Sequence, residues 1–192
     1  MVEPLHQTLY PITELVAAAE LGHAFRDIFE CYRDLYEKAG VVHGDISVNN
    51  LMYRKINGKI SGVLADLDGM DKRPCPTRGT HLPYMALELL APPPPPHFYR
   101  HDLESLFYVI LIVSCHYHEG KKTEDRPLET WQHLAPEELY DQKSSFFLHG
   151  PVPTPTPNFD KLKLLNEDLH TMFANGFIAQ ANDKKSEGSA QL

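Results

Sequence analysis

The sequence predicts a mainly helical α+β fold, and three observations lead to that prediction. Apolar residues recur at spacings of three and four over several long stretches, which is the period of a helix with a buried face. Short β-prone runs cluster between residues 41 and 65, where an Asn-Gly pair separates two of them. Strands and helices do not alternate as they would in a doubly wound α/β protein.

Helices account for most of the predicted elements. The apolar positions from Leu21 to Tyr36 form one helical face, and Gly40 supplies the left-handed stop. The stretch 103–117 is apolar on nearly every side, which indicates a helix buried all round. Pro136 followed by two glutamates is typical of a helical first turn, and residues 159–173 give a further amphipathic helix.

Three short runs read as strands: Val41-Val42, Leu51–Tyr53 and Ile60–Ala65. Asn57-Gly58 lies between the last two, and both residue types tolerate the positive φ of a tight hairpin turn. The sequence therefore predicts a β-hairpin centred on this pair.

Proline marks the loops of what we expect to be one domain, residues 1–181. Two Pro-rich stretches, 91–97 and 150–158, hold most of the 16 prolines, and consecutive prolines favour an extended backbone without N–H donors. The polar segment 182–192 is expected to be a disordered tail.

Composition excludes several functional classes. A net charge of −8 argues against binding to nucleic acid or to an anionic membrane. Three widely spaced cysteines make neither a disulfide framework nor a zinc motif. The first twenty residues lack a signal-peptide pattern, and no apolar run approaches the roughly 20 residues of a membrane span. We expect an intracellular protein of the cytoplasm or nucleus.

One segment combines the residue types that phosphoryl transfer requires. His43, Asp45 and Asn50 fall in one loop, and Asp66 follows the predicted hairpin. A carboxylate can orient a nucleophile and accept its proton, while amide and carboxylate oxygens suit Mg²⁺. The hairpin is expected to return Asp66 to the side of Asn50. Each residue taken singly also fits a turn, but the three together favour a magnesium site.

This segment resembles the protein-kinase catalytic loop H-R-D-x-x-x-x-N, and Asp66-Leu67-Asp68 resembles the D-F-G motif. Residues 79–88 resemble the end of an activation segment, and residues 101–105 resemble the start of the long buried helix that braces the catalytic loop. The residues of these four motifs are similar to those of the fungal-type protein kinase family, over about residues 3–148. The resemblance implies a protein-kinase large lobe whose hairpins carry the catalytic and metal loops, with ATP and Mg²⁺ as cofactors and transfer to protein Ser or Thr.

The resemblance also implies a role for each matched position. Asp45 would be the catalytic base, Asn50 and Asp66 the magnesium ligands, and His43 a structural residue that bonds the backbone near Asp66. Met52 would form the apolar floor under the adenine.

Four more positions take roles from the same resemblance. Glu88 would make a structural ion pair with an arginine that the sequence does not identify, and Asp102 would brace the catalytic loop. Thr80 would line the acceptor site, and Glu3, within the hinge-like segment 1–5, would lie at the nucleotide.

Three matched positions depart from the family pattern. Gly44 replaces a frequent arginine, so a phosphorylated activation loop would lack that partner. Ser47 stands where Ser/Thr kinases carry a lysine near the γ-phosphate. Asp68 replaces the glycine of D-F-G.

No Gly-rich phosphate loop and no strand lysine precede His43 within this sequence. We therefore expect the large lobe alone, beginning at the hinge, with weak or no catalysis and a small lobe or partner protein over the hinge-facing surface. A truncated kinase or pseudokinase that acts as a binding module is the alternative.

Other functions fit single motifs less well. His-Gly-Asp also occurs in phosphotransferases of the aminoglycoside type, and the stretch 63–69 resembles the nucleophile motif of haloacid-dehalogenase-type hydrolases. Cys115, His116 and His118 could suggest a metal site, but a cysteine in an apolar helix is usually a small buried hydrophobe. The proline stretches could bind SH3- or WW-type modules, although a spacer is the simpler interpretation.

Overall fold

The structure is a computed structural model that describes residues 8–67 and 81–189, with side chains described as far as residue 182. The expected hinge 1–5 with Glu3, the acceptor-site Thr80 and the D-F-G position Asp68 lie outside these ranges. The architecture is the mainly helical α+β arrangement that the sequence predicts, with two small antiparallel sheets.

The first long helix, α1, spans Ala18–Ala39 and ends as predicted. Gly40 adopts φ 65°, and its N–H bonds to the Tyr36 carbonyl, so the glycine closes the last turn in the left-handed conformation. One face of α1 enters the core through Leu21, Ala24, Phe25, Ile28 and Tyr32.

The predicted hairpin forms from β2, Leu51–Ile56, and β3, Lys59–Leu64. Asn57 and Gly58 have φ values of 50° and 76°, as the tight turn requires. A two-residue strand, β1 (Tyr10–Pro11), pairs antiparallel with β2 at its outer edge. The Leu51↔Leu64 register brings the beginning of β2 and the end of β3 together, at the catalytic-loop side.

A 3₁₀ turn at Leu82–Tyr84 and the short helix α2, Leu87–Leu90, precede the central helix α3, Tyr99–His116. Almost every residue of α3 from Ser105 onward is buried, which confirms the prediction of a helix covered on all sides. The first proline stretch, 91–97, forms neither helix nor strand.

The remaining elements pack around the end of α3. The β4–β5 ribbon joins Tyr117–His118 to Lys121–Lys122, α4 spans Pro136–His149, and α5 spans Lys163–Ser189 after a 3₁₀ helix at Pro157–Leu162. The second proline stretch is therefore irregular only to residue 156, because Pro157 opens the 3₁₀ helix.

Helix α5 continues over residues 182–189, which are part of the expected tail, and ends at Ser189.

The buried side chains form two clusters, and α3 contributes to both. The first cluster joins α1, the three-stranded sheet and the Val109 face of α3. The second joins α2, α4 and α5 to the opposite face of α3, which contributes Phe107 and Tyr108. Trp131, which follows α3 in the chain, belongs to the same cluster. Within the described ranges, every helix is too short or too polar to cross a membrane.

Candidate active site

The loop from His43 to Asn50 connects α1 to β2, and the first turn of α3 holds its backbone. The Asp102 carboxylate accepts the His43 N–H at 2.8 Å and the Gly44 N–H at 3.2 Å. Asp102 thus contacts the backbone of the loop that it was expected to brace. Gly44 adopts φ 80°, a backbone conformation that a side chain would strain, so an arginine here would need a different loop.

Asp102 is fully buried, yet it is surrounded by donors. Besides the loop N–H groups, the Tyr32 hydroxyl donates at 2.6 Å and the His97 Nε2 lies at 2.8 Å. Burial alone would raise the pKa of Asp102, but the hydrogen bonds from His97, Tyr32 and Gly44 outweigh it and lower the pKa below its usual value. The loop is therefore anchored to a charged carboxylate.

His43 ties the loop to the end of β3. Its Nδ1 accepts the Asp45 N–H at 3.3 Å, so its Nε2 carries the proton and donates to the Ala65 carbonyl at 2.9 Å. His43 itself is buried. Its Nε2 thus contacts the backbone of the residue before Asp66.

Asn50 lies beside Ala65, the residue before Asp66, at the open end of the hairpin, opposite the Asn57-Gly58 turn. The Ala65 N–H donates to the Asn50 carbonyl at 2.9 Å, one residue before Asp66. The Asn50 Nδ2 donates to the Asp45 carbonyl at 2.8 Å, which leaves the amide oxygen available to a ligand. Asp66 is exposed and has a left-handed φ of 59°.

Asp45 is partly open to solvent, with 38% of its side chain exposed. Its Oδ1 lies 3.1 Å from the Nδ1 of His81, and the other imidazole nitrogen lies 3.1 Å from the Asn49 Nδ2. Among the described residues, none donates a hydrogen bond to Oδ2. Sequence reasoning missed His81, because its only signal was its position after the Gly-Thr of the activation-segment motif.

Ser47 lies inside the loop. The residue is fully buried, and its hydroxyl is closed to solvent without a hydrogen-bond partner among the described residues. Its neighbour Ile46 belongs to the first core cluster. Met52, the expected adenine floor, is half-buried in β2 opposite Val63.

The arginine that pairs with Glu88 is Arg100, whose guanidinium lies 2.6 Å from the Glu88 carboxylate. His101, buried in the same turn, accepts the Phe98 N–H at Nδ1 and donates from Nε2 to Glu88 at 3.0 Å. Although burial raises the pKa of Glu88, the hydrogen bonds from His101 and Arg100 lower it below its ordinary value overall. The contact ties α2 to the beginning of α3.

A second buried charge supports the segment between His81 and α2. Lys143 of α4 is fully buried and donates to the carbonyls of Pro83, at 2.9 Å, and Met85. Its ammonium also lies over the ring of Tyr108, 3.7 Å from the centroid. Sequence reasoning missed Lys143, because a lysine within an amphipathic helix is ordinarily exposed.

Two residues of the alternative metal site, Cys115 and His116, have partners within the chain. Cys115 is buried, and burial raises its pKa to about 11. His116 accepts the Leu128 N–H at Nε2. In the described part of the chain, no three His, Cys, Asp or Glu side chains are grouped closely enough to hold a metal ion.

Comparison with known proteins agrees with the motif order found here. A model of the fungal protein kinase family matches residues 6–114, which include the catalytic loop, the hairpin and most of α3. No curated protein and no solved structure matches the chain. Because the family match covers more than half of the 192 residues, the chain belongs to the fungal protein kinase family.

Proposed function

We propose that the chain carries the catalytic loop of a Mg²⁺- and ATP-dependent protein kinase that acts on Ser or Thr hydroxyls. One observation carries the proposal. The Asp102 carboxylate fixes the backbone of His43 and Gly44, directly before Asp45, while the hairpin returns Asp66 to the side of Asn50. A base and two oxygen ligands thereby share one end of the sheet.

Asp45 is the base of the proposed reaction. Its Oδ2 accepts the proton of the substrate hydroxyl, whose oxygen forms the new bond to the γ-phosphorus of ATP. The bond from that phosphorus to the β–γ bridging oxygen breaks, and ADP leaves with the electron pair. The partial exposure of Asp45 leaves room for the hydroxyl to approach.

Asn50 and Asp66 are the proposed ligands of Mg²⁺. The donor set fits this ion, because an amide oxygen and a carboxylate are hard oxygen ligands. The Asn50 amide is oriented by its bond to the Asp45 carbonyl, so its oxygen is the atom that remains for the metal. When bound, Mg²⁺ offsets the charge of the phosphates and orients them.

The experiment follows phosphate transfer from radiolabelled Mg·ATP by the full chain to itself and to a mixed library of Ser- and Thr-containing peptides. Asp45→Asn is expected to lower transfer by about 10²-fold or more, because the general base is lost. Asp34→Asn, which neutralises an exposed carboxylate on α1, is the matched control and should leave transfer unchanged.

Calorimetric titration with Mg·ATP separates the two roles. Asn50→Ala and Asp66→Ala should weaken binding, whereas Asp45→Asn should bind Mg·ATP as the unaltered chain does. Transfer that survives both Asp45→Asn and Asp66→Ala would overturn the assigned roles. Binding of Mg·ATP without any transfer would instead support the binding-module alternative.

A further inference from the structure

One imidazole among the described residues contacts the Asp45 carboxylate, that of His81. Its Nδ1 lies 3.1 Å from the Asp45 Oδ1, and its Nε2 lies 3.1 Å from the Asn49 side-chain nitrogen. His81 reaches Asp45 from the segment before α2, and Asn49 belongs to the loop itself. The imidazole thus bridges two side chains of the loop from outside it.

The two contacts determine which imidazole nitrogen carries the proton. The Asn49 Nδ2 is a donor, so Nε2 of His81 must accept from it. In the neutral imidazole the proton then resides on Nδ1, from which it donates to Asp45. One oxygen of the proposed base is therefore already engaged, and the other is left for the substrate.

We propose that His81 is a positioning residue for the reaction, one that fixes the rotamer of Asp45 so that Oδ2 faces the substrate hydroxyl. The inference rests on the proposed function. His81 keeps its proton throughout and transfers none. Its Nδ1–H donates to the Asp45 carboxylate. In Ser/Thr kinases a lysine of the loop lies near the γ-phosphate, and here the buried Ser47 stands at that position.

The exposure of His81 and Asp45 indicates that their contact affects the orientation of the Asp45 side chain rather than the stability of the fold. His81 and Asp45 are 30% and 38% exposed, and contacts between side chains so open to water contribute little to folding stability. A misoriented base, in contrast, can slow a reaction by about 10²-fold. Loss of His81 should thus act on turnover and barely on unfolding.

Nitrogen NMR of the full chain tests the contact without any need for activity. At about pH 8, above the ordinary histidine pKa of about 6.5, His81 should show a protonated Nδ1 and an unprotonated Nε2. Asp45→Ala and Asn49→Ala should each convert this single tautomer to a mixture. An Nε2-protonated tautomer in the unaltered chain, or no change in either variant, would overturn the inference even if the chain proves to be a kinase.

Kinetics test the consequence for catalysis. His81→Ala should lower kcat about 10-fold to 10²-fold with little change in the KM for Mg·ATP, and His81→Asn, whose amide can donate where Nδ1 did, should recover much of the loss. His133→Ala removes an exposed histidine elsewhere and is the control. Equal kcat for His81→Ala and the control would overturn the positioning role. A chain that transfers no phosphate at all refutes the proposed function, and with it the catalytic role of His81, while the NMR result still decides the contact.

Discussion

The buried imidazole of His116 accepts a hydrogen bond from the backbone. His116 lies at the end of α3, and its Nε2 accepts the Leu128 N–H at 3.3 Å. Burial lowers the pKa of His116 to about 4, and the nearby Glu129 only partly opposes this. The imidazole is held neutral, since a proton on Nε2 would remove the acceptor that Leu128 needs.

Stability should therefore fall in mild acid through His116. Between about pH 6.5, the ordinary histidine pKa, and pH 4, the unfolded chain binds a proton at this site that the folded chain does not. Lowering the pH across this window favours the unfolded chain, by at most about 3 kcal/mol. Urea unfolding at about pH 7 and pH 5 measures the loss.

His116→Gln should flatten this pH dependence, because glutamine offers an acceptor to Leu128 but does not titrate. The control His133→Gln, at an exposed histidine, should retain the full slope. An unchanged slope in His116→Gln would show that other groups cause the acid loss.

The site residues that could be predicted are those whose roles follow from order along the chain. Asp45, Asn50, Asp66 and Asp102 fall in motifs, and the Asn-Gly turn fixes how the second half of the hairpin returns. His81, Arg100 and Lys143 could not be found this way, because their partners depend on how separate elements pack. The burial of Ser47 could not be predicted either, because spacing along the chain does not tell which way a short side chain points.

At the scale of elements, the packing of α1 on the hairpin depends on one glycine. A Cβ at Gly62 of β3 would lie 2.0 Å from the Ala24 carbonyl oxygen, within the backbone of α1. The Gly62 N–H also donates to Asp27 on the same helix at 3.0 Å. The two elements approach so closely that no side chain fits between them.

Gly62→Ala should destabilise the fold by about 1–3 kcal/mol or more, because helix and strand must separate. Gly22→Ala, within α1, is the matched control: its new Cβ meets only Leu162 Cδ2, at 3.9 Å. Alanine there should stabilise the helix by up to about 1 kcal/mol. Chemical denaturation of both variants checks the opposite signs, and equal stability of Gly62→Ala and the unaltered chain would contradict the predicted close contact.

Elements were predictable where a local signal dominates. The period of α1, the all-round apolarity of α3 and the Asn57-Gly58 turn are each properties of one short stretch. The extension of α5 over 182–189 shows no helical period in the sequence, because this segment has no apolar side chain. The strand β1 was not predicted, because two residues are too few to show the alternation of a strand.

The whole molecule is organised around α3, which contributes to both core clusters. Val109 and Val113 face the first cluster, while Phe107 and Leu111 face the second. Because α3 is shared, the loss of either cluster would expose apolar side chains of this helix to water. The two clusters should therefore unfold together.

Trp131 offers a probe of this cooperativity, because it is the only tryptophan and is buried in the second cluster. It packs edge-on against Tyr108 and Phe146, at centroid distances of 5.5 and 5.6 Å. Its fluorescence and the far-UV circular dichroism should change at the same urea concentration. A fluorescence transition at lower urea than the loss of helix would show that the second cluster opens independently.

The placement of Asp102 in the first turn of α3 links the chemistry of the loop to the interior of the molecule. Closely packed side chains transmit displacements instead of absorbing them. Removal of a buried methyl group from α3 would tilt the helix slightly. The Asp102 carboxylate, which accepts the His43 and Gly44 N–H groups, would shift with it. Substitutions made in the interior to raise thermal stability should therefore also displace the loop that carries Asp45. A screen for heat resistance alone would not detect this effect.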